Sequence, residues 1–480
     1  MKKISSLNLE DGRLLSRRQA LKAAAGAAAA TLVSSLPFKG GLLHAAPRRR
    51  PNIIFVLTDD HRYDMLGALG HPFLKTPNMD RLVREGVLFS NAFATTSLCS
   101  PSRASFLTGR YASSHGVINN FTPWRDGNIT FMELLKKAGY DTAFIGKWHM
   151  PGGGLPKLRG VDLLVSFTKK DGQGDYYDCP LFVNHRPAAP RKEYITEELT
   201  EYALGFIKER RDRPFCLYLS HKAVHHDWKP PRHLKGIYKN EKIDFLAPES
   251  DKWNTWSGTN WLEGSMGSMH GIYRRYCECL TSVDEQLGRI LKQLDEMGIL
   301  DDTVIVYAGD NGYMWGEHRL YAKHWPYEES MRIPFVVRYP RIVRDPGRRA
   351  HQMALNIDLF PTLLELGGAR SEKPVDGESL APILRNAGAP GRKSFMYELF
   401  KDFPFGGRVP PHRAVRTERY KYIEWEACRS NELYDLSEDP RELTNIIDTE
   451  RGRGLLQSLK KELDRWKRLY TKDSGPSPGK

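Results

Sequence analysis

Residues 52–60 read NIIFVLTDD: seven residues dominated by large apolar side chains, closed by two adjacent carboxylates, Asp59 and Asp60. An apolar run of this length, without the polar alternation of a half-exposed strand, predicts a parallel strand covered on both faces. The same arrangement returns along the chain. DTAFIG (141–146) leads to Lys147 and His149, and FCLYLS (215–220) to His221, His225 and His226. TVIVYAG (303–309) leads to Asp310 and Asn311, and GVLFSNAFA (86–94) precedes Cys99. In an open α/β sheet, ligands bind outside the carboxyl ends of the strands, so these groups are expected to converge on one site.

Helical segments alternate with these runs. TPNMDRLVREG (76–86) begins with Thr76 as expected N-cap and Pro77 in the first turn, and stops at Gly86. TFMELLKKAGY (130–140) ends at Gly139. A long helix from about Tyr273 to Met297 carries Tyr276, Leu280, Val283, Leu287, Ile290 and Leu294 as its apolar stripe. IPFVVRY (333–339) reads as a further strand. The fold class is therefore α/β, a large, mostly parallel sheet flanked by helices.

The last hundred residues differ. FMYELF (395–400) and AVRTERYKYIEW (414–425) read as antiparallel strands and NELYDLSEDP (431–440) as a turn-rich stretch. Leu455, Leu459, Leu463, Trp466 and Leu469 form the stripe of a closing helix. The expected organisation is an export signal over 1–46, a catalytic domain over 51–384, a smaller C-terminal α+β subdomain over 385–471, and a disordered tail over 472–480. The Trp- and Pro-containing stretch 225–268 reads as an insertion over the active face.

Of the net charge of +14 on 480 residues, eight positive charges belong to the first fifty residues, where ten Lys/Arg face only Glu10 and Asp11. The remaining excess suits an anionic substrate, and nucleic acid is not indicated. LSRRQALKAAAGAAAATLVSS pairs Arg17-Arg18 with an uncharged Ala-rich run, with small residues for cleavage near Ala45 or Ala46. It resembles a twin-arginine export signal, with Ala20 where a bulkier apolar residue is commoner; an uncleaved tail or lipid anchor is the alternative. No other stretch is long and apolar enough for a stable membrane span. Six cysteines imply no disulfide framework, and Cys277 and Cys279 read as packing residues within a helix.

Asp59, Asp60, Asp310 and Asn311 are all oxygen donors, which suits Ca²⁺, or alternatively Mg²⁺, rather than zinc. Helix capping or water binding is the competing account of either pair alone. Arg103, Lys147, His149 and Lys323 are cations able to surround a tetrahedral anion. His115, His318 and His324 are weaker candidates, with structural roles equally open.

CSPSRASFLTGR (99–110) resembles the C-x-P-S-R…T-G-R signature of formylglycine-dependent sulfatases, relatives of alkaline phosphatase. DDHRYDMLGALG, GKWH, HKAVHHDW, GDNGYMWGEH and AKHWPYEESMRIP follow in that family's order, so the resemblance covers essentially all of the chain after Pro51. It implies an alkaline-phosphatase-like fold and conversion of Cys99 to 3-oxoalanine (formylglycine) by a formylglycine-generating enzyme. The hydrated aldehyde would be the nucleophile and a ligand of a Ca²⁺ held by Asp59, Asp60, Asp310 and Asn311. Arg103, Lys147 and Lys323 would stabilise the nucleophile and the sulfate oxygens, His149 would orient or deprotonate the nucleophile, and His225 would protonate the leaving oxygen. Where the family often has H-x-P-H-x-P, this chain has Val224 and Asp227, so His221 or His226 competes with His225.

DGQGDYYDCPLFVN (171–184) and YEESMRIPFVVRYP (327–340) look most like the N-acetylglucosamine-6-sulfatase and mucin-desulfating branches. The resemblance thus implies a sulfated carbohydrate substrate, twin-arginine export machinery as a partner, and a periplasmic or extracellular location. A phosphodiesterase or phosphonate monoester hydrolase of the same superfamily is the alternative, and a non-catalytic exported glycan-binding protein a third.

Overall fold

The computed structural model describes residues 50–150, 155–168, 172–209, 213–244, 268–402, 409–426 and 430–470. The expected export segment and tail lie outside the described residues, as do Cys428 and residues 245–267 of the expected insertion.

Ten strands form the main sheet. They are β1 (Asn52–Thr58), β2 (Val87–Phe89), β3 (Asp141–Gly146), β4 (Leu163–Ser166), β5 (Leu181–Val183), β6 (Arg186–Ala188), β7 (Phe215–Ser220), β8 (Thr303–Gly309), β9 (Phe335–Arg338) and β10 (Arg348–Ala350). Their order across the sheet is β10-β2-β9-β8-β1-β7-β3-β4-β5-β6. The central strands β8, β1, β7, β3 and β4 are mutually parallel, while β9 runs antiparallel between β8 and β2, and β5 and β6 close the far edge antiparallel.

The opening run explains the centre. Ile54 and Val56 enter one apolar layer, and Ile53, Phe55 and Leu57 the opposite one. Alternate side chains of a strand leave on opposite faces, so a strand covered twice must be apolar at every position. The first face is covered by α1 (Pro77–Glu85), α5 (Ile195–Glu209) and α6 (Met269–Glu296). The second is covered by α2 (Cys99–Thr108), α4 (Phe131–Lys137) and α8 (Leu359–Gly367), with the short α3 (Ala112–His115) following α2 and α7 (Glu328–Met331) preceding β9.

Several local expectations are refined. The long helix α6 starts at Met269, a turn earlier than its apolar stripe, because the Ser268 hydroxyl accepts from the Gly271 amide. Thr76 makes no capping bond to α1. Its hydroxyl instead accepts from the Gly67 amide and donates to Asp80, while the Asp284 carboxylate on α6 accepts from the Asn78 and Met79 amides. Cys99, Cys179, Cys216, Cys277 and Cys279 are all buried.

The C-terminal region carries a four-stranded antiparallel sheet of β11 (Ser394–Leu399), β12 (His412–Thr417), β13 (Tyr420–Trp425) and β14 (Glu432–Asp435). The stretch read as turn-rich supplies β14. The short α9 (Ala381–Arg385) precedes this sheet and α10 (Glu450–Tyr470) closes it. Leu459, Leu463 and Trp466 are buried, but Leu469 is 54% exposed and does not join the packing stripe. A third apolar cluster joins this sheet and α10 to Phe93, Leu98, Tyr111 and Trp325.

Candidate active site

The four neighbouring parallel strands β8, β1, β7 and β3 end on the same edge of the sheet, and that edge receives Asp310-Asn311, Asp59-Asp60, His221–His226 and Lys147–His149. Residue Cys99 opens α2, whose ten residues are all buried. Their insertion beneath the sheet edge carries Cys99 and Arg103 to the same place.

Asp59, Asp60 and Asp310 each offer a carboxylate oxygen, all within 4.8 Å of one another, and all three are buried. Three cations oppose them. The Arg103 guanidinium meets Asp310 Oδ2 through Nε at 2.9 Å and through a terminal nitrogen at 2.8 Å, and also donates to Ser220 Oγ at 2.6 Å. The Lys147 ammonium bonds Asp59, and Lys323 Nζ lies 2.5 Å from Asp60 Oδ1 and 2.9 Å from Cys99 Sγ. Asn311 Nδ2 donates to Asp60 Oδ1 at 2.7 Å.

The site is electrostatically divided. Burial opposes ionisation of Asp59, but Lys147, Arg103 and Lys323 outweigh it and hold this carboxyl well below the usual range. Asp310 is pushed up to about 7 by burial and by the Asp59 charge, against the pull of Arg103. Cys99 is pushed up to about 12, first by burial and then by Asp59. A thiol in that state is a poor nucleophile, because the reactive form is the thiolate.

The donor set fits a hard divalent cation. Asp60 Oδ2 and Asn311 Oδ1 are buried and accept no hydrogen bond from the described residues, which is costly for an oxygen unless a cation or water meets it. All four residues offer oxygen, as Ca²⁺ and Mg²⁺ prefer.

Of the histidines, His225 reaches this centre. Its Nε2 lies 3.9 Å from Asp60 Oδ2, and a ring nitrogen lies within 4.8 Å of both Asp59 and Cys99 ligand atoms. Its ring centroid is 3.9 Å from that of His226. The His221 amide donates to Leu57 O, and burial lowers its ring to about 3. His149 adopts φ +53°, a left-handed conformation uncommon for a side chain of this size. His115 is buried between Ser105 and the Val117 amide, and His318 stacks on Tyr327 with centroids 3.9 Å apart. His324 lies beside the site, its Nε2 3.5 Å from Asp402 Oδ2.

One further residue joins these groups. Gln173 Oε1 accepts from Lys147 Nζ at 2.5 Å, and Gln173 Nε2 lies 2.8 Å from His149 Nε2. Gln173 belongs to the quoted 171–184 segment, yet no strand-end rule points to it. The available signal is its position between Gly172 and Gly174.

This fold, with acids and cations interleaved at the carboxyl edge of its parallel strands, is that of the alkaline-phosphatase-like enzymes, which act on anionic ester groups. The chain belongs to the sulfatase family, sulfuric ester hydrolases, whose profile matches residues 51–369. A second profile, N-sulphoglucosamine sulphohydrolase C-terminal, matches residues 316–468. The chain is 31% identical to an N-acetylglucosamine-6-O-sulfatase of Bacteroides thetaiotaomicron, over 89% of this chain and 88% of that protein. It is 30% identical to an ulvan-active sulfatase of Formosa agariphila, over 86% and 80% respectively. The solved structure of BT4656 with its substrate D-glucosamine-2-N,6-O-disulfate matches with a TM-score of 0.80 at 29% identity. That match covers 88% of this chain and 99% of the other.

Proposed function

We propose that this protein removes sulfate from a sulfated carbohydrate, with a 6-O-sulfated glucosamine residue as the preferred unit, through formylglycine made from Cys99 beside a Ca²⁺ or Mg²⁺ ion. The observation that carries the reading is the setting of Cys99. Its thiol is held protonated, yet it lies within reach of Lys323 and of Asp59, one of the three closely spaced acids. Such a centre suits an oxygen nucleophile next to a cation and does not suit a thiolate. The similarity to the N-acetylglucosamine-6-O-sulfatase and to BT4656 supports the choice of sugar.

Asp59, Asp60, Asp310 and Asn311 would hold the cation, with the modified Cys99 as a further ligand. When present, the cation and the formylglycine would supply charge neutralisation and a hydroxyl nucleophile. Arg103 is fixed by a hydrogen bond and an ion-pair contact to Asp310 and a hydrogen bond to Ser220, so its charge is aimed before substrate arrives. Lys147 and Lys323 present ammonium groups where negative charge collects on the transferring group; preorganised charge of this kind is a major part of catalysis. His225 offers a ring N–H to the leaving oxygen. Maturation by a formylglycine-generating enzyme, twin-arginine export and a periplasmic or extracellular location complete the proposal. Among the described residues no helix is long and apolar enough to cross a membrane.

Two measurements test it. Mass spectrometry of the Cys99 peptide from natively produced protein should find the aldehyde, and a free thiol throughout the active enzyme would remove the nucleophile. Release of sulfate from N-acetylglucosamine 6-sulfate should exceed turnover of an aryl phosphonate monoester. Faster phosphonate turnover would favour the phosphonate monoester hydrolase alternative.

A further inference from the structure

The Gln173 side chain touches two of the cationic-site residues at once, and the identity of one fixes what it can do to the other. Lys147 Nζ carries only donors, so the amide atom facing it at 2.5 Å must be the oxygen. The amide NH₂ is thereby turned toward His149 Nε2, 2.8 Å away. An NH₂ group can only donate, so His149 Nε2 must accept. Burial, and then the Lys147 charge, lowers His149 well below its ordinary range, so the ring is neutral and holds one proton. In a neutral imidazole the bond made by one nitrogen decides which nitrogen is protonated.

We infer that Gln173 is a positioning residue that locks His149 in its Nδ1–H form, making the ring a hydrogen-bond donor to the substrate or nucleophile oxygen and not a base. This deepens the sulfatase reading and rests on it for the identity of the oxygen. The Nδ1 atom is buried and has no hydrogen-bond partner among the described residues, which leaves its N–H for a ligand. Backbone construction is a second, independent support. Gly172 and Gly174 both take positive φ, +88° and +68°. A Cβ at Gly172 would come within 3.3 Å of His149 Cα, and one at Gly174 within 2.7 Å of the Phe167 ring. Both flanking residues must therefore lack a side chain for the loop to deliver Gln173 against His149.

Long-range ¹H–¹⁵N correlation on matured full-length protein labelled at histidine tests this, with His149 assigned by the signal lost in His149→Asn. The wild type should show Nδ1 protonated and Nε2 unprotonated. Gln173→Glu places an acceptor-only carboxylate against Nε2 and should move the proton there, with kcat on an aryl sulfate falling about 10–100-fold and KM changing less. Gln173→Met, of similar length without polar atoms, should abolish the exclusive Nδ1–H signature. A wild-type Nε2–H form, or an Nδ1–H form unchanged in both variants, overturns the inference. The resonances need no turnover. An inactive wild type with the expected tautomer would therefore overturn the sulfatase reading alone.

Discussion

At the residue scale, Asp310 shows how the site trades stability for binding. Its carboxylate accepts a hydrogen bond from Arg103 Nε and pairs with a terminal guanidinium nitrogen, yet burial and Asp59 disfavour its charge. Asp310→Asn is expected to abolish both sulfate-ester turnover and the thermal upshift produced by added Ca²⁺. In the wild type, an ion at about 100 times its Kd should contribute about 2.7 kcal/mol, lost on chelation. Calorimetry with and without EDTA checks both. His115 gives a pH prediction remote from the acidic cluster. Burial, followed by the Arg110 charge, lowers it to about 3 from 6.5, so it stays neutral in the fold and protonates in the unfolded chain. Stability is therefore lost as pH falls from about 6.5 toward 3, since the unfolded state binds the extra proton. At pH 5 the loss from this residue is about 2 kcal/mol. His115→Asn keeps an acceptor for the Val117 amide without the titration. Its urea-unfolding free energy should depend less steeply on pH between 7 and 5, by nearly one proton; an unchanged slope would refute the assignment.

At the element scale, the helices are ended by tertiary partners as much as by their own caps. The start of α1 illustrates this. Thr76 stands at the expected capping position, but Asp284 from α6 accepts from the Met79 amide at 2.7 Å and from the Asn78 side chain at 2.9 Å. Asp284→Ala would leave the Asn78 and Met79 backbone amides without this acceptor, and we expect a loss of about 1–3 kcal/mol, measurable by denaturant unfolding. The helix α2 follows a different logic. It is buried along its whole length and its apolar pattern is weak, so no amphipathic stripe marks it. Its chemistry is legible from Cys99, Pro101 and Arg103, but its burial is not. Likewise β14 was hidden in a turn-like composition. Its four residues are a strand because β13 provides a pairing edge, with Lys421 opposite Tyr434 and Tyr422 opposite Leu433.

At the scale of the whole molecule, the C-terminal sheet is joined to the catalytic layer by buried charge. Lys421 on β13 is fully buried, with Glu328 at 2.9 Å and Glu442 at 2.6 Å, and it donates to Pro326 O. Of these partners, Pro326 and Glu328 follow closely on Lys323 in the chain, and Glu442 follows the C-terminal sheet. Lys421→Met leaves two buried carboxylates with fewer cations, and should destabilise the protein by about 3–5 kcal/mol, with partial recovery in Lys421→Met/Glu442→Gln. A thermal-unfolding series reads this, and full stability of the single variant would contradict the role given to Lys421. The sequence alone determined the central parallel strands, the acids and cations at their ends, and the family, because a doubly covered strand must be apolar throughout and the motif residues are local in the chain. Only the tertiary structure decided the strand order, the antiparallel insertion of β9, the place of His225 beside Asp60, and the bridge from Lys147 through Gln173 to His149. Those depend on contacts between segments far apart in sequence, where hydrogen-bond geometry and burial choose among residues that composition leaves equivalent.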